Sequence, residues 1–341
     1  MSGKLRTAIL YRLDDCATKC RKTGGDSTVL RAIRAEWCRL RRFAVGPAVK
    51  DFVLQSIPSD LTVLIAGPTA SGKSRLAMEI AAQGGGVIVN ADAMQVHADW
   101  RILTARPSEA DEAALPHRLY GHVTRDQAYS VGHWLREVER ILLAGVRPVI
   151  VGGTGLYLTA LTTGLAVIPS VLPEIRAMAN ARRLEGDIAG MLAELDPATR
   201  AAIDPSNPMR VQRAWEVWRT TGRGLADWQA DTPAPLVPLS QATALVLVPD
   251  RDWLTTRISD RFDAMIAAGV LDEVRAALSH WRPERPWAQA IGAAELVGHL
   301  RDERALADAV TAAKIATNQY AKRQRTWFRN RMRDWTALAM P

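Results

Sequence analysis

The sequence predicts an α/β fold: a parallel sheet flanked by helices, with an all-helical insertion domain. Three observations carry this. Short apolar, β-rich runs alternate with helical stretches from residue 61 to about 172, the order that builds a parallel sheet through right-handed crossovers. Between residues 173 and 230 the strand signal vanishes, and the chain becomes rich in Ala, Arg and Glu with helical periodicity. A further β-rich run at 242–248 then rejoins the sheet.

Each element has its own signal. Residues 61–66 (LTVLIA) form a continuous apolar run that stops at glycine, as a strand buried on both faces does. Residues 74–82 follow as a helix, with Leu76, Ala77 and Ile80 on one side. Residues 86–90 (GVIVN) are a second short strand. An amphipathic helix at about 131–144 precedes a third strand at 148–152 (PVIVG). In the insertion, Asn207-Pro208 reads as a helix start, and Pro233, Pro235 and Pro238 mark a stiff connection back to the core. Beyond 248 the chain reads as helical to near its end. The expected organisation is an extension over 1–57, a core of 58–172 with 242–341, and an insertion over 173–241.

Composition narrows the class. The chain has 341 residues, 48% hydrophobic and 23% charged, proportions that exclude collagen, coiled coil and wholesale disorder. No apolar run approaches 18 residues, so no membrane span is expected. The net charge of +8 lies entirely in residues 1–50, where 12 Lys and Arg face Asp14, Asp15, Asp26 and Glu36. Cys16, Cys20 and Cys38 also lie there, which rules out a disulfide framework for the body and fits a reducing compartment. Their spacing is poor for a metal, and no His lies near them. No compact apolar segment marks a secretory signal, and the early acids argue against organelle targeting.

Chemistry concentrates in a few turns. Gly67, Pro68, Thr69, Ala70, Ser71, Gly72, Lys73 and Ser74 fit G-x-x-x-x-G-K-[ST], after a strand and opening a helix. Such a loop turns its backbone N–H groups and the helix N-terminus toward a phosphate cluster. Lys73 adds a point charge, and Ser74 a hydroxyl for Mg²⁺. The expected core is thus P-loop NTPase-like, although the loop by itself names no particular phosphate compound. Asp92 follows the second strand at the same sheet edge, where open α/β sheets bind ligands; it reads equally as a base, a Mg²⁺ ligand or a turn cap. Gly152-Gly-Thr-Gly-Leu-Tyr157 opens another helix at that edge and offers the Thr154 hydroxyl. Arg251, Arg257 and Arg261 read either as phosphate clamps or as partners of local Asp.

Near the end, residues 309–333 hold seven basic residues and no acid. On a helix, Lys322, Arg325, Arg329 and Arg333 fall on one side, with Phe328, Met332 and Trp335 on another. Arginines interleaved with aromatics favour a phosphate backbone, with Trp and Arg able to stack on bases. Arg210 and Arg213 in the insertion are placed to reach the same partner.

Together these motifs resemble the tRNA dimethylallyltransferases. The matching segments are GPTASGKS at 67–74, NADAMQV at 90–96, TARP at 104–107, PHRLYGHV at 116–123, GGTGLY at 152–157, NPMRVQRAWEV at 207–217, the arginine run from Arg251, and KRQRTWFR at 322–329. They stand in family order over about 61–335. The resemblance implies a soluble, cytoplasmic and monomeric enzyme whose phosphate loop holds dimethylallyl diphosphate without consuming ATP, with Mg²⁺ as cofactor. It implies Asp92 as general base toward the N6 amine of the tRNA anticodon-loop adenosine, with Lys73, Thr154 and Arg176 stabilising the leaving diphosphate. It implies tRNA contacts at Asp92, Ala93, Met94 and Gln95; at Met209, Arg210, Val211, Gln212 and Arg213; at 289–294; and at Lys322, Arg323, Gln324, Arg325, Thr326, Trp327, Phe328 and Arg329. The sequence departs from the family pattern at Ala93 for Ser, His97 for Tyr, Arg101 for Asp, Leu103 for Gly, Arg106 for Lys and Ser74 for Thr. Rival readings are a small-molecule kinase using the same loop, a prenyltransferase acting on free adenine nucleotides, and a non-catalytic RNA binder.

Overall fold

The computed structural model describes residues 57–340. The extension expected over 1–57, with its three cysteines, lies outside the described residues except for Ile57. A six-stranded, wholly parallel sheet forms the centre: β1 (Thr62–Ala66), β2 (Val87–Asn90), β3 (His117–Arg118), β4 (Pro148–Gly152), β5 (Ala242–Pro249) and β6 (Thr336–Met340), in the order β3-β2-β4-β1-β5-β6. The four strands expected from sequence are present. The two that sequence reading missed are the edges. β3 is two residues long, and β6 closes a terminus read as helical to near its end. β3 is too short to carry a pattern, and β6 (TALAM) is apolar but built from Ala, Leu and Met, which read as helix formers rather than as a strand.

Alternation along β1 serves two layers. Val63 and Ile65 pack on one face with Leu76, Ala77 and Ile80 of α1 (Lys73–Gly84). Leu64 and Ala66 pack on the other with Trp134 and Val138 of α3 (Val131–Leu143) and Tyr157, Leu158 and Leu161 of α4 (Gly155–Thr163). A short helix, α2 (Glu109–Ala114), precedes β3.

Residues 173–230 are helical, as expected: α5 (Pro173–Leu184), α6 (Ile188–Ala193), α7 (Pro197–Ala202), α8 (Pro208–Thr221) and α9 (Leu225–Ala230). They enclose their own apolar cluster around Met191, Val211 and Trp215. Asn207 starts α8 by accepting the Arg210 N–H, with Pro208 in the first turn.

After β5 come α10 (Arg251–Ala267), α11 (Val270–Ala277), α12 (Ala293–Leu300) and the 26-residue α13 (Leu306–Arg331). α10–α13 build a second apolar centre with the 100–105 loop, around Trp100, Trp281, Trp287 and Phe262. The Trp100 indole N–H donates to the Trp287 carbonyl at 2.7 Å.

Candidate active site

Parallel register brings three turns to one edge. Ala66 pairs with Gly152, and Asn90 with Val151. The phosphate loop, the Asp92 turn and the Gly153-Thr154 turn therefore leave adjacent strand ends together.

The phosphate loop curls through left-handed positions at Ala70 (φ 61°) and Gly72 (φ 86°). Gly72 needs no side-chain sacrifice there; Ala70 is strained in it, a conformation that persists only where surrounding contacts hold it. Those contacts are present: the Ala70 carbonyl accepts the Arg257 Nε–H at 3.1 Å, and the Ala70 side chain packs with Leu254 and Ile258. Burial draws the Lys73 ammonium down to about 8; Asp92 opposes this shift and Arg261 adds to it. Ser74 stands exposed in the first turn of α1.

Asp92 has two jobs. One oxygen, Oδ1, accepts the Met94 N–H at 2.9 Å, so it is a turn cap. The other, Oδ2, lies over Gly153, 3.2 Å from where a Cβ would stand. Buried Asn90 fixes the turn: it accepts the Asp92 N–H at 2.8 Å and donates to the Asp92 and Leu119 carbonyls. The Thr154 hydroxyl accepts the Ala93 N–H at 2.8 Å, tying the two turns together.

A cavity of about 360 Å³ opens between these turns and the helices. Thr69, Asp92, Thr154, Arg261, Tyr320 and Arg323 supply its polar wall; Met94, Leu103, Ile258, Phe262 and Met265 supply an apolar one. A second cavity of about 390 Å³ surrounds Lys73 and Ser74 and shares Ala70, Arg261 and Met265 with the first. Arg261 reaches Thr69 Oγ1 at 3.3 Å, pairs with no carboxylate among the described residues, and lines both cavities. Burial lowers its pKa from the ordinary value, with Asp92 opposing. Arg257 also lines the Lys73 cavity and lies over the Trp253 ring.

Several expected site residues sit elsewhere. Arg176 lines neither cavity; its Nε is 2.9 Å from Glu216, a carboxylate buried in α8. Arg213 faces the same carboxylate at 3.9 Å. Val211 and Gln212, expected as tRNA contacts, are buried: Val211 belongs to the insertion's apolar cluster, and Gln212 bonds Asn180, Arg183 and Glu216. Met209 and Arg210 are exposed. Gln95 turns inward and donates to the Thr104 and Ala105 carbonyls.

On α13 the expected division into two faces holds, but the apolar face is not a stacking platform. Phe328, with Met332 and Trp335 beyond the helix end, packs beneath the sheet in the Tyr157 and Leu158 cluster. Trp327 is half-buried against Gly155, where a Cβ would stand 2.2 Å from its ring. Lys322, Arg323, Arg325, Thr326 and Arg329 are exposed. Two features carried no sequence signal. Tyr320 lies in the cavity wall with its hydroxyl beside Thr154, and burial is the chief cause that pushes that hydroxyl's pKa up. The Glu273 carboxylate accepts the N–H groups of Arg101, Ile102 and Leu103, holding the loop that walls the cavity. Arg101, where the family pattern has an acid, turns to Glu112 at 3.1 Å.

A profile described as IPP transferase matches residues 95–331. A tRNA dimethylallyltransferase of Cereibacter sphaeroides is 65% identical over 288 residues, 84% of this chain and 92% of that one. That of Dinoroseobacter shibae is 64% identical, covering 84% and 97%. Among solved structures, the tRNA isopentenylpyrophosphate transferase of Bacillus halodurans superposes with TM-score 0.59 at 28% identity, covering 82% and 90%. A eukaryotic dimethylallyltransferase captured acting on tRNA reaches 0.70 at 25% identity, covering 82% and 73%. With most of its length matched at such identity, the chain belongs to the IPP transferase family.

Proposed function

We propose that this chain transfers a dimethylallyl group from dimethylallyl diphosphate to N6 of adenosine 37 in the tRNA anticodon loop, releasing diphosphate. The observation that carries the reading is the pair of adjoining cavities, which share Ala70, Arg261 and Met265 as walls. One end is built for a diphosphate, the other for an apolar group beside a carboxylate. The diphosphate lies against the phosphate loop, Lys73 and Arg261. The allylic chain lies against Met94, Leu103, Phe262 and Met265. N6 attacks the allylic carbon, the carbon–oxygen bond breaks, and diphosphate leaves with the electron pair. Asp92 takes the N6 proton, which matters because the amine lone pair is delocalised into the purine. Lys73 and Arg261 offset the growing negative charge. Arg176 takes part only by exchanging Glu216 for the diphosphate.

No group of three or more His, Cys, Asp or Glu among the described residues could cage a metal ion. The exposed Ser74 hydroxyl suits the alternative, a hard cation shared with substrate phosphates. We assign Mg²⁺ to that role, held by Ser74 and the diphosphate. When bound, it neutralises charge on the leaving group.

The acceptor adenine must leave its stack to enter the cavity, and an anticodon loop opens at low cost. The exposed cations of α13, with Arg210 and Met209 on the helical insertion, form the RNA-facing surface. The described residues contain no helix long and apolar enough to cross a membrane. We place the enzyme in the cytoplasm, acting as a monomer.

The test is transfer of labelled dimethylallyl from its diphosphate to unmodified tRNA, with adenine nucleotides as parallel acceptors. Label in the RNA that depends on Mg²⁺ is the expected result. Label only in free nucleotide moves the chain to a nucleotide prenyltransferase. ATP turnover without prenyl transfer restores the kinase reading.

A further inference from the structure

We infer that Gln324 is a positioning residue of the donor-diphosphate site and not a contact to RNA. The inference rests on the transferase reading above. Gln324 stands within the most basic stretch of the chain, between Arg323 and Arg325, yet it is 5% exposed while both neighbours face solvent. Its Oε1 accepts the Thr69 N–H at 2.9 Å, and its Nε2 donates to the Gly153 carbonyl at 2.9 Å. This amide orientation is forced. Reversed, it would set N–H against N–H and carbonyl against carbonyl.

One side chain from residue 324 therefore spans the phosphate loop and the Gly153-Thr154 turn, 255 and 171 positions away in sequence. Gly153 is what allows the approach, since a Cβ there would meet Nε2 at 2.3 Å. The network continues on both sides. Thr69 Oγ1 accepts from Arg261 at 3.3 Å, and the Tyr320 hydroxyl stands beside both Gln324 and Thr154. Thr154 in turn holds the Ala93 N–H beside Asp92. Gln324 thus joins the three strand-end turns that form the donor pocket. A buried amide bonded at both its oxygen and its nitrogen rigidifies such a network, whereas losing either bond leaves a buried backbone group unpaired.

The consequence is a division of labour along one helix. The exposed cations of α13 are available to tRNA, and the buried amide one position away sets the loop that holds the diphosphate. Changing Gln324 should disturb the donor and spare the RNA.

Two variants test this. Gln324→Met keeps length and volume but loses both hydrogen bonds. Gln324→Glu keeps the acceptor toward Thr69, loses the donor toward Gly153, and adds a negative charge behind a diphosphate loop. Both are expected to raise KM for dimethylallyl diphosphate, about tenfold for Met and more for Glu. The Kd for unmodified tRNA, measured without donor, is expected to stay within about twofold of wild type, with unchanged salt dependence. A weakened tRNA Kd with an unaltered donor KM would overturn the inference. So would unaltered values for both.

A measurement on the unaltered chain guards against variants that fail to fold. The Thr69 amide is expected to resist hydrogen exchange before any RNA is added. Fast exchange that slows only when tRNA binds would also overturn the assignment. Failure of the wild-type chain to prenylate tRNA would instead sink the transferase reading, while slow Thr69 exchange would still report the buried bridge.

Discussion

Asp92 shows how much one side chain can be asked to do. Its Oδ1 caps the turn through the Met94 N–H, so replacing it with Asn keeps the turn and removes only the carboxylate charge proposed to take the N6 proton. Asp92→Asn is expected to lower kcat by roughly a hundred- to ten-thousand-fold. Its melting temperature and tRNA Kd should remain near wild type. A surviving rate would reassign the base. Lys73 makes a pH prediction. Its ammonium is drawn down to about 8 by burial, and lysine carries its charge only below its pKa. In the free enzyme, kcat/KM for dimethylallyl diphosphate should therefore fall as pH rises through about 8. In Lys73→Arg, whatever its absolute rate, that alkaline limb should move beyond the accessible range, because a guanidinium stays charged. An unmoved limb would point to another group.

Elements explain why neighbouring positions of one motif differ in role. α13 passes beneath the sheet edge, so each turn of the helix offers one face to the core and one to solvent. Phe328 is 4% exposed in the apolar cluster below β4 and β1. Phe328→Ala is therefore expected to cost about 3–5 kcal/mol of stability, with RNA affinity unchanged in whatever fraction stays folded. Arg329→Ala should do the reverse, weakening tRNA without moving the melting temperature. The insertion carries the same lesson. Glu216 is buried and faces Arg176 and Arg213, so an arginine that reads as a substrate ligand in sequence is engaged by its own domain in the fold.

At the scale of the whole molecule, RNA binding is expected to be spread over many phosphates. A titration of tRNA Kd against salt should give a steep log–log slope, and neutralising one exposed cation such as Arg325 should reduce it by about one unit. A flat response would leave α13 as an ordinary solvated helix and favour a nucleotide acceptor. The basic segment before residue 57 carries nearly all of the net charge but has no counterpart in the motif series. Removing residues 1–56 should leave both the melting temperature and the transfer rate unchanged; a collapse of either would make that segment part of the working fold.

Local pattern by itself determined a good deal here. The phosphate loop, strands at 61–66, 86–90, 148–152 and 242–248, and the helical character of 173–230 were all legible, because buried parallel strands and glycine turns are written in consecutive residues. The residue types that line the candidate site, Lys73, Ser74, Asp92 and Thr154, were legible for the same reason, together with the motif order that marks the family. Tertiary structure decided what depends on who lies opposite. Burial of Gln324, Phe328, Val211 and Gln212 inside segments expected to meet RNA comes from packing against elements far away in sequence. The grip of Glu273 on the 101–103 loop, the placing of Arg261 between two cavities, and the edge strands β3 and β6 arise the same way. Sequence periodicity states which side of a helix a residue is on. Only the fold states whether that side meets solvent, a substrate or another part of the chain.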